Sequence, residues 1–202
     1  MLIDPDVSQL VLIDYQERLM PAVFDGKACM DNAMRLAQAA HLLGLPVWGT
    51  AQNPSKLGDL PAAMKALCTQ TLAKMQFSAC EEGLTACLRP EVTTKPAQGN
   101  ARSLPKHLQK PAPAAPERNS VVLAGVEAHV CMLQTALDLL EDDFEVWVVT
   151  DACSSRTERN RDAAYDRLAG AGAELVTTEM VLFEWLQTAE HPLFKEIQAL
   201  IK

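Results

Sequence analysis

The stretch Val121-Val-Leu-Ala-Gly-Val-Glu-Ala-His-Val-Cys131, followed directly by Met132-Leu-Gln-Thr-Ala-Leu-Asp-Leu-Leu140, decides the fold. Its first part is a short apolar run ending in Gly125, which reads as a buried strand. Its second part places apolar residues at Val130, Leu133, Leu137 and Leu140, a helical spacing. Cys131 therefore falls in the first turn of a helix that follows a strand. Unpaired N–H groups and the positive end of the helix dipole gather there. That position predicts a thiol that ionises easily and acts as a nucleophile. The alternative is a small buried apolar thiol, as most free cysteines are.

Working outward, strand-like and helix-like segments alternate. Gln9-Leu-Val-Leu-Ile-Asp14 is an apolar run ending in an acid. Lys27 to Gly44 carries Met30, Ala33, Leu36, Ala37, Ala40 and Leu43 as a helical stripe, with Gly44 as the stop signal. Pro46-Val-Trp-Gly-Thr50 reads as a second strand, Leu60 to Cys68 as a short helix, and Thr71-Leu-Ala-Lys74 as a weaker strand toward an edge. Glu145-Val-Trp-Val-Val-Thr150 is another buried strand, Thr157 to Gly170 a helix, Glu174-Leu-Val-Thr-Thr178 a last strand, and two helices close the chain. Such alternation predicts a parallel sheet covered on both faces. The exception is Glu81 to Asn119, which holds six of the twelve prolines and reads as a long irregular insertion. It is expected to be a lid or subunit-contact arm, or else a neutral surface loop.

Composition narrows the function. The 202 residues fit one domain, spanning 1–202 with the proline-rich insertion at about 81–119, and 49% hydrophobic content allows a sizeable core. A formal net charge of -8 argues against nucleic-acid or membrane partners. The six cysteines, Cys29, Cys68, Cys80, Cys87, Cys131 and Cys153, form no C-x-x-C pair and no zinc-site spacing. With no leader-like start and no membrane-length run, the expectation is a cytoplasmic protein with reduced thiols.

In an open parallel sheet, ligands bind outside the carboxyl ends of the strands. Asp14, Lys74 and Cys131 lie at or just beyond three such ends. An acid, an amine and a thiol make a workable nucleophilic set: the ammonium favours thiolate, and the carboxylate can take the thiol proton and return it to a leaving group. Taken singly, Asp14 could instead cap a turn, and Lys74 could be a solvated surface lysine.

Three segments carry a family resemblance: Val11-Leu-Ile-Asp14-Tyr-Gln16, Lys74-Met-Gln-Phe77-Ser78-Ala79 and Ala124-Gly125-Val126-Glu127-Ala128-His129-Val130-Cys131. In this order they resemble the signature segments of isochorismatase-like cysteine hydrolases. Val149-Thr-Asp151-Ala152-Cys-Ser-Ser155-Arg156 and Gly170-Ala-Gly-Ala173 are similar to the family pattern after the nucleophile. The Gly-Val-Glu-Ala-His form and His191-Pro-Leu-Phe-Lys195 most resemble its isochorismatase-domain-containing subgroup. The resemblance covers nearly the whole chain outside the insertion.

The resemblance implies a three-layer α/β/α, Rossmann-like sandwich with a six-stranded, mostly parallel sheet. It implies an Asp14, Lys74, Cys131 triad, a cis peptide at Val126–Glu127, and an oxyanion hole from N–H groups near Ala128 and Cys131. Substrate would meet loops around Tyr15, Gln16, Gln52 and Phe77, and a homo-oligomer, dimer or larger, is expected. The expected activity is hydrolysis of a C–N, amide-type bond of a small molecule through a thioester. A vinyl-ether hydrolase, a non-catalytic binding or scaffold protein, and a redox-sensing thiol (with Cys153 as a spatial partner) are the alternatives. Nicotinamidase-like members carry Asp-x-His after the second strand. Here that segment is Ala51-Gln52-Asn53, so neither a metal nor another cofactor is expected.

Overall fold

A computed structural model describes residues 1–90 and 117–202. Six strands carry the fold: β1 (Ser8–Ile13), β2 (Val47–Gln52), β3 (Gln70–Lys74), β4 (Ser120–Gly125), β5 (Glu145–Val149) and β6 (Glu174–Val176). They form one sheet in the order β3-β2-β1-β4-β5-β6. Every pairing is parallel, which sharpens the expectation of a mostly parallel sheet. β1 and β4 are buried at all six positions, as strands covered on both faces must be.

Eight helices accompany the sheet among the described residues: α1 (Gly26–Leu43), α2 (Pro54–Leu57), α3 (Ala62–Lys65), α4 (Leu84–Leu88), α5 (Leu133–Glu141), α6 (Glu158–Ala171), α7 (Thr178–Leu186) and α8 (Phe194–Ala199). α1 packs with α7, and α5 with α6. Right-handed crossovers from strands running to opposite edges place these two pairs on opposite faces. α1 buries Cys29, Ala33, Leu36, Ala37, Ala39 and Ala40; its alanines let the helix lie close on the sheet. It ends at Gly44, whose φ of 72° only glycine adopts freely.

The irregular stretch expected from Glu81 onward is regular at its start. A 3₁₀ turn spans Cys80–Glu82, and α4 follows with Leu84 and Leu88 buried. Two leucines four residues apart were enough to hold a short helix against the core. Residues 91–116, the bulk of the expected insertion, lie outside the described residues, and Glu117–Asn119 lead into β4.

The topology places the site. From β1 the chain builds outward through β2 to β3, then returns to the other side of β1 as β4. The order therefore reverses between β1 and β4, and the crevice at their carboxyl ends is the expected ligand position. The two strands approach very closely there. A Cβ on Gly125 would lie 2.4 Å from Cβ of Ile13, so the end of β4 needs a residue without one.

Candidate active site

Three segments leave the sheet at this crevice. After β1, Asp14 takes a left-handed conformation with φ of 55° and hydrogen-bonds its N–H to the Thr50 carbonyl (3.2 Å). Its carboxylate is fully buried. Thr50 Oγ1 donates to Oδ1 at 2.7 Å. Oδ2 faces Lys74 Nζ at 2.8 Å, with both side chains 0% exposed. That contact is an ion pair off the hydrogen-bonding angle, and Oδ2 accepts no hydrogen bond among the described residues.

Lys74 ends β3, two strands away from β1. Two strand spacings are roughly 9–10 Å, a gap that a lysine and an aspartate reaching toward each other can close. Its ammonium also donates to Gln52 Oε1 (2.6 Å) and to the Phe77 carbonyl (3.0 Å), with the Gln76 carbonyl at 3.4 Å. The turn supplying those carbonyls is itself tied down, because Glu82 accepts from the N–H groups of Met75 (2.9 Å) and Gln76 (3.1 Å).

Cys131 does not sit in the first turn of an α-helix. It lies in a five-residue π-helical turn, Ala128–Met132, that feeds α5. π-turns of this kind recur at functional sites. Thr135 Oγ1 donates to the Cys131 carbonyl at 2.7 Å and accepts from the Ala79 N–H at 3.0 Å, stitching the turn to the segment after Lys74. The thiol is 5% exposed, and Gln52 Oε1 lies 3.9 Å from its Sγ.

The expectation that Cys131 ionises easily is corrected. Burial pushes its thiol up to about 12; the Asp14 carboxylate adds to the rise, and Lys74 opposes it. At neutral pH the resting sulfur is a thiol. Desolvation outweighs the helix-start and lysine effects on which the sequence argument rested.

The oxyanion-hole expectation is also corrected in part. The Val126–Glu127 peptide is cis. The Ala128 N–H, however, is taken by the Ser154 carbonyl at 2.7 Å. Those of Val130 and Met132 both go to the Glu127 carbonyl, at 3.0 and 3.3 Å. The Glu127 side chain turns outward to Arg156, 2.7 Å away. The His129 ring meets Ser155 Oγ at 3.0 Å and Asn160 Nδ2 at 3.4 Å.

The four expected substrate contacts separate. Tyr15 is fully buried, its hydroxyl donating to the Ala152 carbonyl, to which the Cys29 thiol also donates. It offers no surface to a substrate. Gln16 is also buried, and its amide brackets the backbone of Gln52, accepting from the N–H (2.8 Å) and donating to the carbonyl (3.0 Å). Gln52 touches both Lys74 and Cys131. Phe77 is 52% exposed beside Met75 at 64%, an apolar rim next to the lysine. Thr50 was missed by the sequence reading. The available signal was a polar residue on an apolar strand, in register with Ile13 just before Asp14.

Comparisons with known proteins bear on the fold and the family. The Isochorismatase domain family model matches residues 8–180. Isochorismatase domain-containing protein 2 of Danio rerio is 36% identical over 194 residues, 96% of this chain and 86% of that protein. The structure of MAR1 ribonuclease from Caenorhabditis elegans is 31% identical with a TM-score of 0.82, covering all of this chain and 92% of that one. The YcaC gene product of Escherichia coli, described as an octameric hydrolase of unknown specificity, shares the fold at 22% identity and a TM-score of 0.78, covering all of this chain and 95% of that one. An acid, a lysine and a cysteine at the switch point of a six-stranded parallel sheet, within a sequence matched by this model over most of its length, make the chain a member of the isochorismatase family, whose members are generally hydrolases.

Proposed function

We propose that this protein is a cysteine hydrolase that cleaves a C–N, amide-type bond of a small molecule through a thioester. The supporting observation is the state of Asp14 Oδ2: buried, ion-paired to Lys74, and free of hydrogen bonds among the described residues, while its carboxylate acts on the Cys131 thiol. It is a buried carboxylate oxygen within electrostatic reach of the thiol.

The reaction begins from the neutral thiol. As sulfur attacks the substrate carbonyl, its proton passes to Asp14 Oδ2, so a free thiolate never has to accumulate. Lys74 keeps Asp14 oriented and balances charge as the carboxylate is neutralised. The Ala128, Val130 and Met132 N–H groups are occupied, so His129 and Cys131 are the N–H groups of this turn that the reading assigns to the oxyanion. Asp14 then protonates the departing nitrogen, the C–N bond breaks, and a thioester remains on Cys131. Water attacks the thioester, gives a proton to Asp14, and the acid leaves as Asp14 returns that proton to sulfur.

The rim of Met75 and Phe77 favours a substrate with an apolar group beside the scissile amide. RNA is the competing substrate, because the Caenorhabditis elegans relative is described as a ribonuclease. A net charge of -8 opposes a polyanion. A homo-oligomer is part of the same reading, supported by the octameric state given for the Escherichia coli relative. No described helix is long and apolar enough to cross a membrane.

The test is a panel of small primary and secondary amides, with a structured RNA as a second arm, run on wild type and on Cys131→Ser and Asp14→Asn variants. The reading expects amine or ammonia release by wild type and loss in both variants. RNA cleavage that survives in Cys131→Ser, with no amide turned over, would reject it.

A further inference from the structure

Gln52 ends β2 between the strands that carry Asp14 and Lys74, and it is held at three points. Its N–H donates to Gln16 Oε1 (2.8 Å), its carbonyl accepts from Gln16 Nε2 (3.0 Å), and its side-chain Nε2 donates to the Met75 carbonyl (2.8 Å). The last contact settles the orientation of the amide. The nitrogen must face the Met75 carbonyl, so Oε1 faces the other way. There it accepts from Lys74 Nζ at 2.6 Å and lies 3.9 Å from Cys131 Sγ. One neutral oxygen thus touches two of the three reactive side chains.

The surroundings of Lys74 show what that oxygen does. An ammonium has three protons. Four oxygens crowd around this one: Gln52 Oε1, Asp14 Oδ2, and the carbonyls of Phe77 and Gln76. Gln52 Oε1 and the Phe77 carbonyl hold the two short contacts, at 2.6 and 3.0 Å, so sulfur competes for what the ammonium has left. A thiolate on Cys131 would have to draw a Lys74 proton away from Gln52, and it would face the negative end of the amide dipole. The S–H finds an acceptor at the same place. A hydrogen bond made to the neutral form of an acid holds it neutral.

We propose that Gln52 is a positioning residue whose Oε1 is the resting acceptor of the Cys131 S–H and restrains thiolate formation until substrate enters. The proposal rests on the reading of Cys131 as the nucleophile. In the resting site Gln52 Oε1 competes with Asp14 for the S–H. Substrate entry turns it toward Asp14 Oδ2, so proton transfer is coupled to attack. The device would keep a buried nucleophile from reacting with electrophiles outside turnover.

Site-resolved iodoacetamide labelling of the full chain between pH 7 and 9.5 tests this, with Cys87 as the internal reference. Gln52→Met keeps the bulk and removes the acceptor; Gln52→Glu keeps the shape and adds negative charge. The expected labelling rate at Cys131 rises on the order of tenfold in Gln52→Met at each pH, equivalent to one pKa unit, and falls in Gln52→Glu. Cys87 stays unchanged in both. A merely structural role would not move the two isosteres in opposite directions. An unchanged or lower rate in Gln52→Met overturns the proposal and leaves the nucleophile reading standing. Should Gln52→Met fail to fold by circular dichroism, the Glu variant decides: a rate equal to or above wild type overturns it. Cys131 unlabelled in wild type and in both variants overturns the proposal, while the nucleophile reading is decided separately by acyl-adduct formation during turnover.

Discussion

Lys74 Nζ and Asp14 Oδ2 lie 2.8 Å apart with neither side chain exposed, at the ends of strands separated by β2. A buried pair of this kind costs desolvation, so it is weak evidence for stability by itself. Breaking it is another matter. Lys74→Met would leave a buried, uncompensated carboxylate, and it should lower unfolding free energy by about 3–5 kcal/mol. Asp14→Asn combined with Lys74→Met removes both charges and should recover much of that loss. Urea denaturation of wild type and the two variants measures it, and a Lys74→Met protein as stable as wild type contradicts a charged pair.

Thiol reactivity should follow burial. Cys131 is buried and its thiol is pushed up to about 12, whereas Cys87 is partly exposed and less shielded. Iodoacetamide at pH 7 should therefore modify Cys87 before Cys131. Labelling of Cys131 should climb about tenfold per pH unit up to pH 10, because only the thiolate reacts. A plateau near pH 8 at Cys131 would reveal the low-pKa thiol that the sequence argument expected.

Alkaline stability carries the same signature. Burial raises Cys29 and Cys131 from the ordinary thiol value of 9.0 to about 12, and raises Cys153 well above 9.0. A folded state that holds these protons more tightly than the unfolded chain is not penalised below pH 9. It loses stability as pH rises from 9 toward 12, because the unfolded state then binds fewer protons. Denaturation midpoints should be flat between pH 7 and 8.5 and fall above 9. Cys29→Ala should show a shallower fall, and an identical slope in that variant argues against the thiol as its source.

Two glycine-to-alanine changes should differ in sign. At Gly125 the new Cβ would collide with Ile13, so Gly125→Ala should destabilise by about 1–3 kcal/mol or more. At Gly170, inside α6, a Cβ meets nothing within 4 Å, and Gly170→Ala should stabilise by about 0.5–1 kcal/mol. Thermal melts of both settle the comparison.

The sheet was legible because its central strands β1, β4 and β5 are buried on both faces and read as apolar runs, while the half-exposed edge strands β3 and β6 read more weakly. Asp14, Lys74 and Cys131 were legible because each lies at or just beyond the carboxyl end of a strand. What the sequence could not carry was the third dimension of those ends. The Ala128 N–H is spent on Ser154, 26 residues later, and nothing local to Ala128 announces that partner. Tyr15 and Gln16 follow Asp14 directly, yet both point inward, because the backbone turns at Asp14 with positive φ. The Cys131 thiol was judged by its place at a helix start, and burial, a property of the assembled core, overrides that place. α4 was hidden by the prolines that follow it.

Covalent attack by Cys131 is the central step. The most direct measurement is rapid acid quench during turnover of an amide that the panel identifies, followed by intact-mass and peptide mapping. The account predicts a transient gain equal to the substrate acyl group, located on Cys131, labile to hydroxylamine, and absent in Cys131→Ala, which turns nothing over. Amide turnover retained in Cys131→Ala, with no acyl adduct on the wild-type protein at any quench time, would contradict it.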